Sequence, residues 1–399
     1  MTSAGTKTKE LRFGVAGLGV ASAQILPAVA RHPHLKVAAA AEPRPEAREK
    51  FAQEYGGECY ETVEEMCASP NVDAIYVCTP NQFHAEHVIA AAEHGKHIIV
   101  EKPMGLTIDE CEAMNAAAER NNVKLLCGHT HSFDAPIRKM REIVRSGELG
   151  KLCMINTWHY QEFMYRARMP QELDASKGGN VVFNQGPHAI DILRLIGGGM
   201  VRSVRAMTGV WDPARRAEGA WVAYIEFEDG TPATDVFNGY AHFDTAEFTE
   251  WMGEAQRTPE QNLRARARIA GLKSPEDEAG LKSVKRYGGG QEESRIRNAS
   301  YPHSHFGITI VSCEHGDIRQ SLHGLLVYGD EKNWEIPVSK MARGREAELD
   351  ELYQAVVNDR PVFHDGRWGE ATLEVVLAIM QSAKERREIM MSHQVPTPD

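Results

Sequence analysis

No stretch of this sequence stays apolar for the roughly 18 residues a bilayer-spanning helix needs. A membrane partner is therefore not expected. The first ten residues, MTSAGTKTKE, are polar and lack the apolar core of a secretory leader. Positive charge is in deficit: the formal net charge is -11, which argues against a large basic surface for nucleic acid. The run Arg264-Ala265-Arg266-Ala267-Arg268 is a local exception. No C-x-x-C occurs among the seven cysteines, Cys59, Cys67, Cys78, Cys111, Cys127, Cys153 and Cys313. Cys78 and Cys127 fall in strand-like runs, where a free thiol behaves as a small hydrophobe. An odd count without metal-type spacing points to reduced thiols and a cytoplasmic protein. There is no internal repeat.

What is present is a globular composition. Hydrophobic residues make up 42% and charged residues 25% of 399 positions, enough for two or three domains. From Leu11 the chain alternates apolar strands with helices. Strands are expected at 11–16, 36–41, 73–78, 97–100 and 124–127, and helices at 21–30, 45–55, 83–93 and 107–119. Continuous apolar strands between helices indicate a parallel sheet covered on both faces.

Beyond about residue 150 strands succeed one another with few helices between, at 152–160, 201–210, 220–227, 234–240, 306–313, 317–321 and 325–328. Helices are expected at 184–195, 343–357 and 369–387. The fold class is thus an α/β Rossmann domain, residues 1–130, followed by an α+β domain, 131–399, with a large, mainly antiparallel sheet. Residues 246–300 are charged, poor in β-branched residues and contain Gly288-Gly289-Gly290. They read as a helical insertion, either a lid or a tolerated surface excursion.

Gly17-Leu18-Gly19-Val20-Ala21-Ser22 follows the first strand and opens a helix. The first glycine permits a tight turn, and the second lets backbone approach a pyrophosphate seated on helix amides near Val20 and Ala21. Ser22 replaces the small third residue of the fingerprint. Glu42 ends the second strand, where a carboxylate would accept bonds from ribose hydroxyls and repel a 2′-phosphate, favouring NAD over NADP. Arg44 opens the alternative of meeting a phosphate or stacking on adenine. Thr79-Pro80-Asn81-Gln82-Phe83-His84 ends the third strand, where the loop would lie against the cofactor; Asn and Pro there also favour a turn. Glu101-Lys102-Pro103 follows the fourth strand. The proline disfavours helical geometry at the lysine, so Lys102 is presented at the sheet end where open α/β sheets bind ligands. A lysine beside a nicotinamide is a candidate proton-transfer group for alcohol oxidation.

These features together resemble the Gfo/Idh/MocA oxidoreductases. The likeness extends through Gly178-Gly179-Asn180-Val181-Val182-Phe183-Asn184-Gln185-Gly186-Pro187-His188-Ala189-Ile190-Asp191, and covers about residues 11 to 390. Gly128-His129-Thr130-His131-Ser132-Phe133-Asp134, the run from Phe306 to Glu314 and that from Gly316 to Ser321 resemble its phthalate 4,5-dihydrodiol dehydrogenase-like branch. The resemblance implies a nicotinamide cofactor contacted around Gly17, Gly19, Val20, Ala21, Glu42, Arg44, Thr79, Asn81, His84, Glu101 and Lys102. It implies that Lys102, Asn184 and His188 face the substrate carbinol. Asn184 stands where the family usually has aspartate, so it can orient a hydroxyl but not act as a carboxylate base. His188 is then the favoured general base with Lys102 polarising or relaying, and the reverse division stays open.

Arg166 and Arg168 carry fork-shaped guanidinium groups suited to a carboxylate. The pairs His129/His131 and His303/His305 have strand-face spacing. Pocket histidines, with His129 and His131 binding substrate, are favoured over a metal site. The expected enzyme is an NAD-dependent dehydrogenase of a cyclic polyol, including a carboxylated cis-dihydrodiol. A sugar, glycoside or inositol substrate is the alternative, and a cofactor-binding regulator without chemistry is a third. The family resemblance implies a homodimer or homotetramer.

Overall fold

The computed structural model describes residues 9–174, 177–254, 257–290, 303–339 and 344–398. It divides into two compact units. The first draws on 1–129, 281–294 and 345–370, and the second on the remainder.

In chain order the first unit opens with β1 (Leu11–Ala16), α1 (Ser22–Arg31), β2 (Leu35–Ala41), α2 (Pro45–Tyr55), β3 (Glu58–Tyr60), α3 (Val63–Cys67), β4 (Ala74–Val77), α4 (His84–Glu93), β5 (His97–Glu101), α5 (Ile108–Arg120) and β6 (Leu125–Gly128). The six strands pair in parallel in the order β3-β2-β1-β4-β5-β6. Every β4 residue is buried, which is why that strand reads as an unbroken apolar run. The strand order reverses direction between β1 and β4, and ligands of such sheets bind at the carboxyl ends there. Local sequence sets the helix ends. Pro45 occupies the first turn of α2, Gly56 closes it at φ +66°, and the Thr107 side chain accepts from the Glu110 amide to start α5.

The second unit contains α6 (Ala135–Ser146), β7 (Leu152–Tyr160), α7 (Val181–Gly197), β8 (Val201–Gly209), β9 (Ala220–Phe227), β10 (Pro232–Asn238), α8 (Pro259–Ala270) and most of α9 (Pro275–Ser283). β11 (Ile308–Cys313), β12 (Gly316–Gln320), β13 (Gly324–Gly329) and β14 (Asn333–Pro337) follow in the same unit; the chain then returns to the first unit with α10 (Gly344–Val357) and ends with α11 (Gly366–Glu385), most of it in the second unit, and β15 (Ile389–Met390). Nine strands form one sheet in the order β14-β13-β12-β11-β7-β10-β9-β8-β15, antiparallel except for the β7–β10 pair. Burial alternates along β10, and α7 packs on β7, β9 and β10. One face of the sheet is covered by helix and the other is open, as alternating sequences require.

The compact units are not a single cut of the chain near residue 130. α10 carries Leu349, Leu352 and Tyr353 into the apolar core formed by Phe13, Val15, Ile25 and Phe51. Apolar burial, not chain order, assigns it to the first unit. The expected helix at 343–357 is α10, with residue 343 outside the described residues. Within the insertion, α8 and α9 are helical as expected, while 255–256 and 291–300 lie outside the described residues. β3, α3, α6, β14 and β15 were not anticipated.

Candidate active site

The cofactor end of the first unit is built on backbone. The chain turns at Gly17 with φ +93°, a region that suits glycine. A Cβ there would lie 3.0 Å from the Cys78 carbonyl oxygen and 3.2 Å from Thr79 Cα, both backbone atoms. At Gly19 a Cβ would meet nothing within 4 Å. The second glycine therefore exposes bare backbone, the property a pyrophosphate exploits. The Ser22 hydroxyl donates to the Gly19 carbonyl at 2.9 Å, so serine at the third position is absorbed inside the turn. Val20 and Ala21 lead into α1, and Ala21 has no capping oxygen for its first amides, leaving donors suited to an anion.

Glu42 is 7% exposed at the end of β2. Its carboxylate accepts from the Leu18 amide at 2.8 Å and from Arg44 Nε at 2.8 Å. Burial opposes ionisation, but Arg44 and the Leu18 amide outweigh it and hold Glu42 below the usual carboxylate range. Arg44 also donates to the Leu18 carbonyl at 2.6 Å. Two of its donor positions are thus committed, one to Glu42 and one to the turn, which supports the ribose reading of Glu42 over a phosphate reading of Arg44. Bare glycine backbone, uncapped amides and an ionised strand-end acid together fit a dinucleotide.

Thr79 Oγ1 lies 2.9 Å from His87 Nδ1, and Asn81 opens a short 3-10 turn. His84 is fully buried, with Nδ1 2.9 Å from the Pro103 carbonyl and Nε2 2.9 Å from the Thr79 carbonyl. Burial lowers the pKa of this ring, against the pull of the two carbonyls. His84 thus braces the loops after β4 and β5 against each other.

Glu101 has a similar bracing role. Arg345 meets it at 2.5 Å and Glu348 at 3.3 Å, and the Tyr76 hydroxyl lies 3.3 Å from Glu101 and 2.9 Å from Glu348. Burial drives the Glu348 carboxyl upward against the pull of Arg345. The other Glu101 oxygen accepts the Lys102 amide at 3.3 Å. A buried ion-pair cluster therefore anchors the strand end from which half-buried Lys102 emerges, before a cis Lys102–Pro103 peptide. His129, 1% exposed, follows β6 in this unit.

The second unit gathers the remaining expected residues. The Asn180 side chain accepts from the Phe183 amide at 2.9 Å and starts α7. Asn184 and His188, four residues apart, share a helix face. Gln185 donates to Asn184 Oδ1 at 2.7 Å. The His188 ring lies 4.7 Å from that of His131, at 80°, and 5.4 Å from Phe306. His131 Nδ1 is 2.9 Å from Asp134, and its Nε2 is 3.5 Å from Glu254. Burial disfavours a charge on His131, yet these two carboxylates win and raise its pKa. His159 packs edge-on against Phe306 at 4.4 Å, and burial pushes it down to about 3. One aromatic cluster thus holds two imidazoles whose pKa values are displaced in opposite directions.

Arg166 is bound by Gln161, by Glu162 at 3.3 Å and by Glu254 at 3.9 Å, with 28% of its side chain exposed. Arg257 bridges Glu162 and Asp244. Arg168 stacks 3.8 Å from the Phe163 ring centroid and donates to the Phe163 carbonyl at 3.0 Å. With 7% of its side chain exposed, it packs on Phe163 and pairs with Glu172 at 3.6 Å. His303 and His305 are also buried; His303 Nε2 lies 2.9 Å from the Val338 carbonyl.

Asp134, His159, Glu162, Glu254, Arg257 and Phe306 join the site without a motif that announces them. The His131-x-x-Asp134 spacing could have flagged one pair. Nothing local marked Glu254, which the insertion supplies.

A bare glycine turn, an ionised acid ending β2 and a braced lysine after β5 define a nicotinamide-dinucleotide oxidoreductase by class. The description "oxidoreductase family, NAD-binding Rossmann fold" matches residues 11–129, and the GFO/IDH/MocA C-terminal domain matches 137–257. The chain is 35% identical, over 94% of its length and 95% of the relative's, to 1-carboxy-3-chloro-3,4-dihydroxycyclohexa-1,5-diene dehydrogenase of Comamonas testosteroni. A solved Bordetella bronchiseptica RB50 protein, a dehydrogenase by assignment only, is 40% identical with a TM-score of 0.88, covering 96% of this chain and all of that one. Aldose-aldose oxidoreductase of Caulobacter crescentus, at 21% identity and TM-score 0.73 over 96% of this chain and all of its own, shares the fold. The chain belongs to the Gfo/Idh/MocA oxidoreductases. It is a dehydrogenase acting on CH–OH groups with NAD as cofactor. Among the described residues no helix is long and apolar enough to cross a membrane.

Proposed function

We propose that this enzyme oxidises one secondary alcohol of a cyclic vicinal diol that carries a carboxylate. The observation that carries this reading is the near full-length likeness to a relative whose name describes a carboxylated dihydroxycyclohexadiene. Arg166 supports it, because the planar fork suits a carboxylate and its side chain is more exposed than those of Arg168 and Arg257. Bound NAD supplies the hydride acceptor. The protein's task is to take the hydroxyl proton and fix the ring. We assign proton transfer to Lys102 and His188. Asn184, its Oδ1 engaged by Gln185, contributes as an amide donor to a substrate oxygen. His131, held between Asp134 and Glu254, sets the orientation of His188 through their edge-on ring contact.

A sugar, inositol or glycoside is the second reading, favoured by the acid-rich surroundings of Arg166, where Glu162 and Glu254 are acceptors for hydroxyl groups. The deciding experiment offers purified protein carboxylated and uncarboxylated dihydrodiols, inositols and glycosides with NAD or NADP, following reduced cofactor by absorbance. NADH is expected from carboxylated diols. Arg166→Ala should raise KM for them by about tenfold, the scale of one charge-assisted contact, and leave uncarboxylated diols unaffected. Turnover confined to glycosides or inositols would select the second reading.

An open apolar row crosses the second sheet. Register places Trp158 and Val222 on either side of Val236, with Met207 beyond Val222; Trp158, Val222 and Met207 are 43, 57 and 47% exposed. Such a patch favours association, and we propose a homodimer or homotetramer through this face, testable by sedimentation velocity. The seven cysteines are free thiols, which supports a reducing, cytoplasmic setting.

A further inference from the structure

The end of α9 and the glycine-rich stretch after it, residues 281–290, belong to the first unit. Tyr287 is 3% exposed and sits in the same apolar core as Ala47 and Phe51 of α2. Its main-chain N–H donates to the Gly19 carbonyl at 3.1 Å. Its hydroxyl donates to Glu54 at 2.7 Å, across 233 positions of sequence, and the Lys50 ammonium stands 4.9 Å from its ring centroid. One residue of the insertion therefore bonds both to the second glycine of the cofactor turn and to the helix that follows Glu42. Glycines make this fit possible. Gly288 and Gly290 have φ +81° and +84°. A Cβ on Gly289 would lie 2.6 Å from the Ser283 and Val284 carbonyls, and one on Gly288 would lie 3.7 Å from Ala47 Cα.

We propose that residues 281–290 form a strap over the dinucleotide site, in which Tyr287 is a positioning residue that slows cofactor release. The inference rests on the cofactor reading above and extends it. The Gly19 carbonyl receives two donors, Ser22 Oγ and the Tyr287 N–H. The peptide is planar, so fixing that carbonyl also fixes the direction of the Val20 N–H, a donor of the kind phosphates take at helix starts. A turn already held rigid loses less conformational freedom on binding, and affinity rises accordingly. Lys282, Lys285 and Arg286 add positive charge to the same segment, suited to a polyanionic ligand.

The test compares full-length wild type with Tyr287→Ala and Tyr287→Phe. NADH affinity is measured by fluorescence titration and release by stopped-flow displacement. Tyr287→Ala should weaken NADH binding by about tenfold, mainly through faster release. Tyr287→Phe keeps the ring and should stay within about threefold of wild type. Trypsin should cut wild type at Lys282, Lys285 and Arg286 more slowly with NAD than without. That readout decides the matter alone should Tyr287→Ala fail to fold, and cutting unchanged by NAD then overturns the strap. Wild-type affinity and release in a folded Tyr287→Ala would overturn it equally. A wild type that binds no dinucleotide would instead refute the cofactor reading beneath it.

Discussion

The two units bury charge by different means. In the first, each buried acid at a strand end has an arginine, Arg44 for Glu42 and Arg345 for Glu101, and Arg345 also meets Glu348 of α10. These pairs brace backbone, and the backbone presents the chemistry. In the second, the groups are rings and carboxylates drawn from positions 131, 134, 159, 188, 254 and 306, clustered around Phe306. Two imidazoles in that cluster are shifted in opposite directions: at His131 the carboxylates of Asp134 and Glu254 outweigh burial, whereas at His159 burial, helped by nearby cations, outweighs Glu254. A cofactor common to many reactions needs only a fixed backbone frame, whereas a particular substrate needs side chains whose charge is set one at a time.

The sharpest way to break this comparison is at Lys102, the one side chain of the first unit given a chemical task. Lys102→Ala should lower kcat by about 10²- to 10⁴-fold, the range for loss of a general acid–base group. NADH affinity by fluorescence should stay at the wild-type value. Undiminished turnover would move the chemistry wholly to the second unit. Next in size is the brace. Arg345→Ala leaves Glu101 and Glu348 without their cation, and removing one partner of a buried pair costs about 3–5 kcal/mol. Urea denaturation should show that loss. A near-neutral result would mean that Glu101 and Glu348 take up protons and that the pair is not what holds Lys102.

The charge contrast within the second unit has its own signature in pH. His159 is held near 3 in the folded protein against an ordinary 6.5. Unfolding therefore takes up a proton below pH 6.5. The stability tied to its neutral state is complete above 6.5 and is lost as pH falls toward 3, at up to about 1.4 kcal/mol per pH unit. His131 acts in the opposite sense. Its folded pKa is raised, so its contribution is complete below the ordinary value and is lost as pH rises past the folded one. His159→Phe should flatten the acid-side slope of the urea midpoint between pH 6 and about 4. Some slope will remain from His305, which burial pushes down to about 4. An unchanged slope would show that His159 titrates normally.

How much of this was legible follows from the same contrast. The strands β1, β7 and β9 and the helix α2 begin and end where their apolar pattern and flanking Gly and Pro place them. The glycine turn and Glu42 lie within one βαβ unit, so spacing alone revealed them. Glu254 reaches His131 across an insertion with no pattern of its own, and Arg345 reaches Glu101 from α10. No local signal encodes such pairings, because they depend on which helix an apolar core recruits. His84 and Arg168 were legible as residues of interest, but their burial, and hence their bracing role, was not.

The smallest expected effect tests whether the first unit is a backbone site at all. Ser22 was the departure from the fingerprint, and its fully buried hydroxyl donates to the Gly19 carbonyl at 2.9 Å. Replacing it with alanine removes one neutral hydrogen bond and restores the usual small residue. The net cost of such a bond is about 1 kcal/mol, and the Gly19 carbonyl keeps its second donor, the Tyr287 N–H. Ser22→Ala should therefore weaken NADH binding by no more than about fivefold, with kcat at saturating cofactor unchanged. A loss as large as that of Tyr287→Ala would make Ser22, and not the strap, the main restraint on the turn. A loss in kcat would mean that the turn does more than seat the cofactor, and the division between a framing unit and a reacting unit would no longer stand.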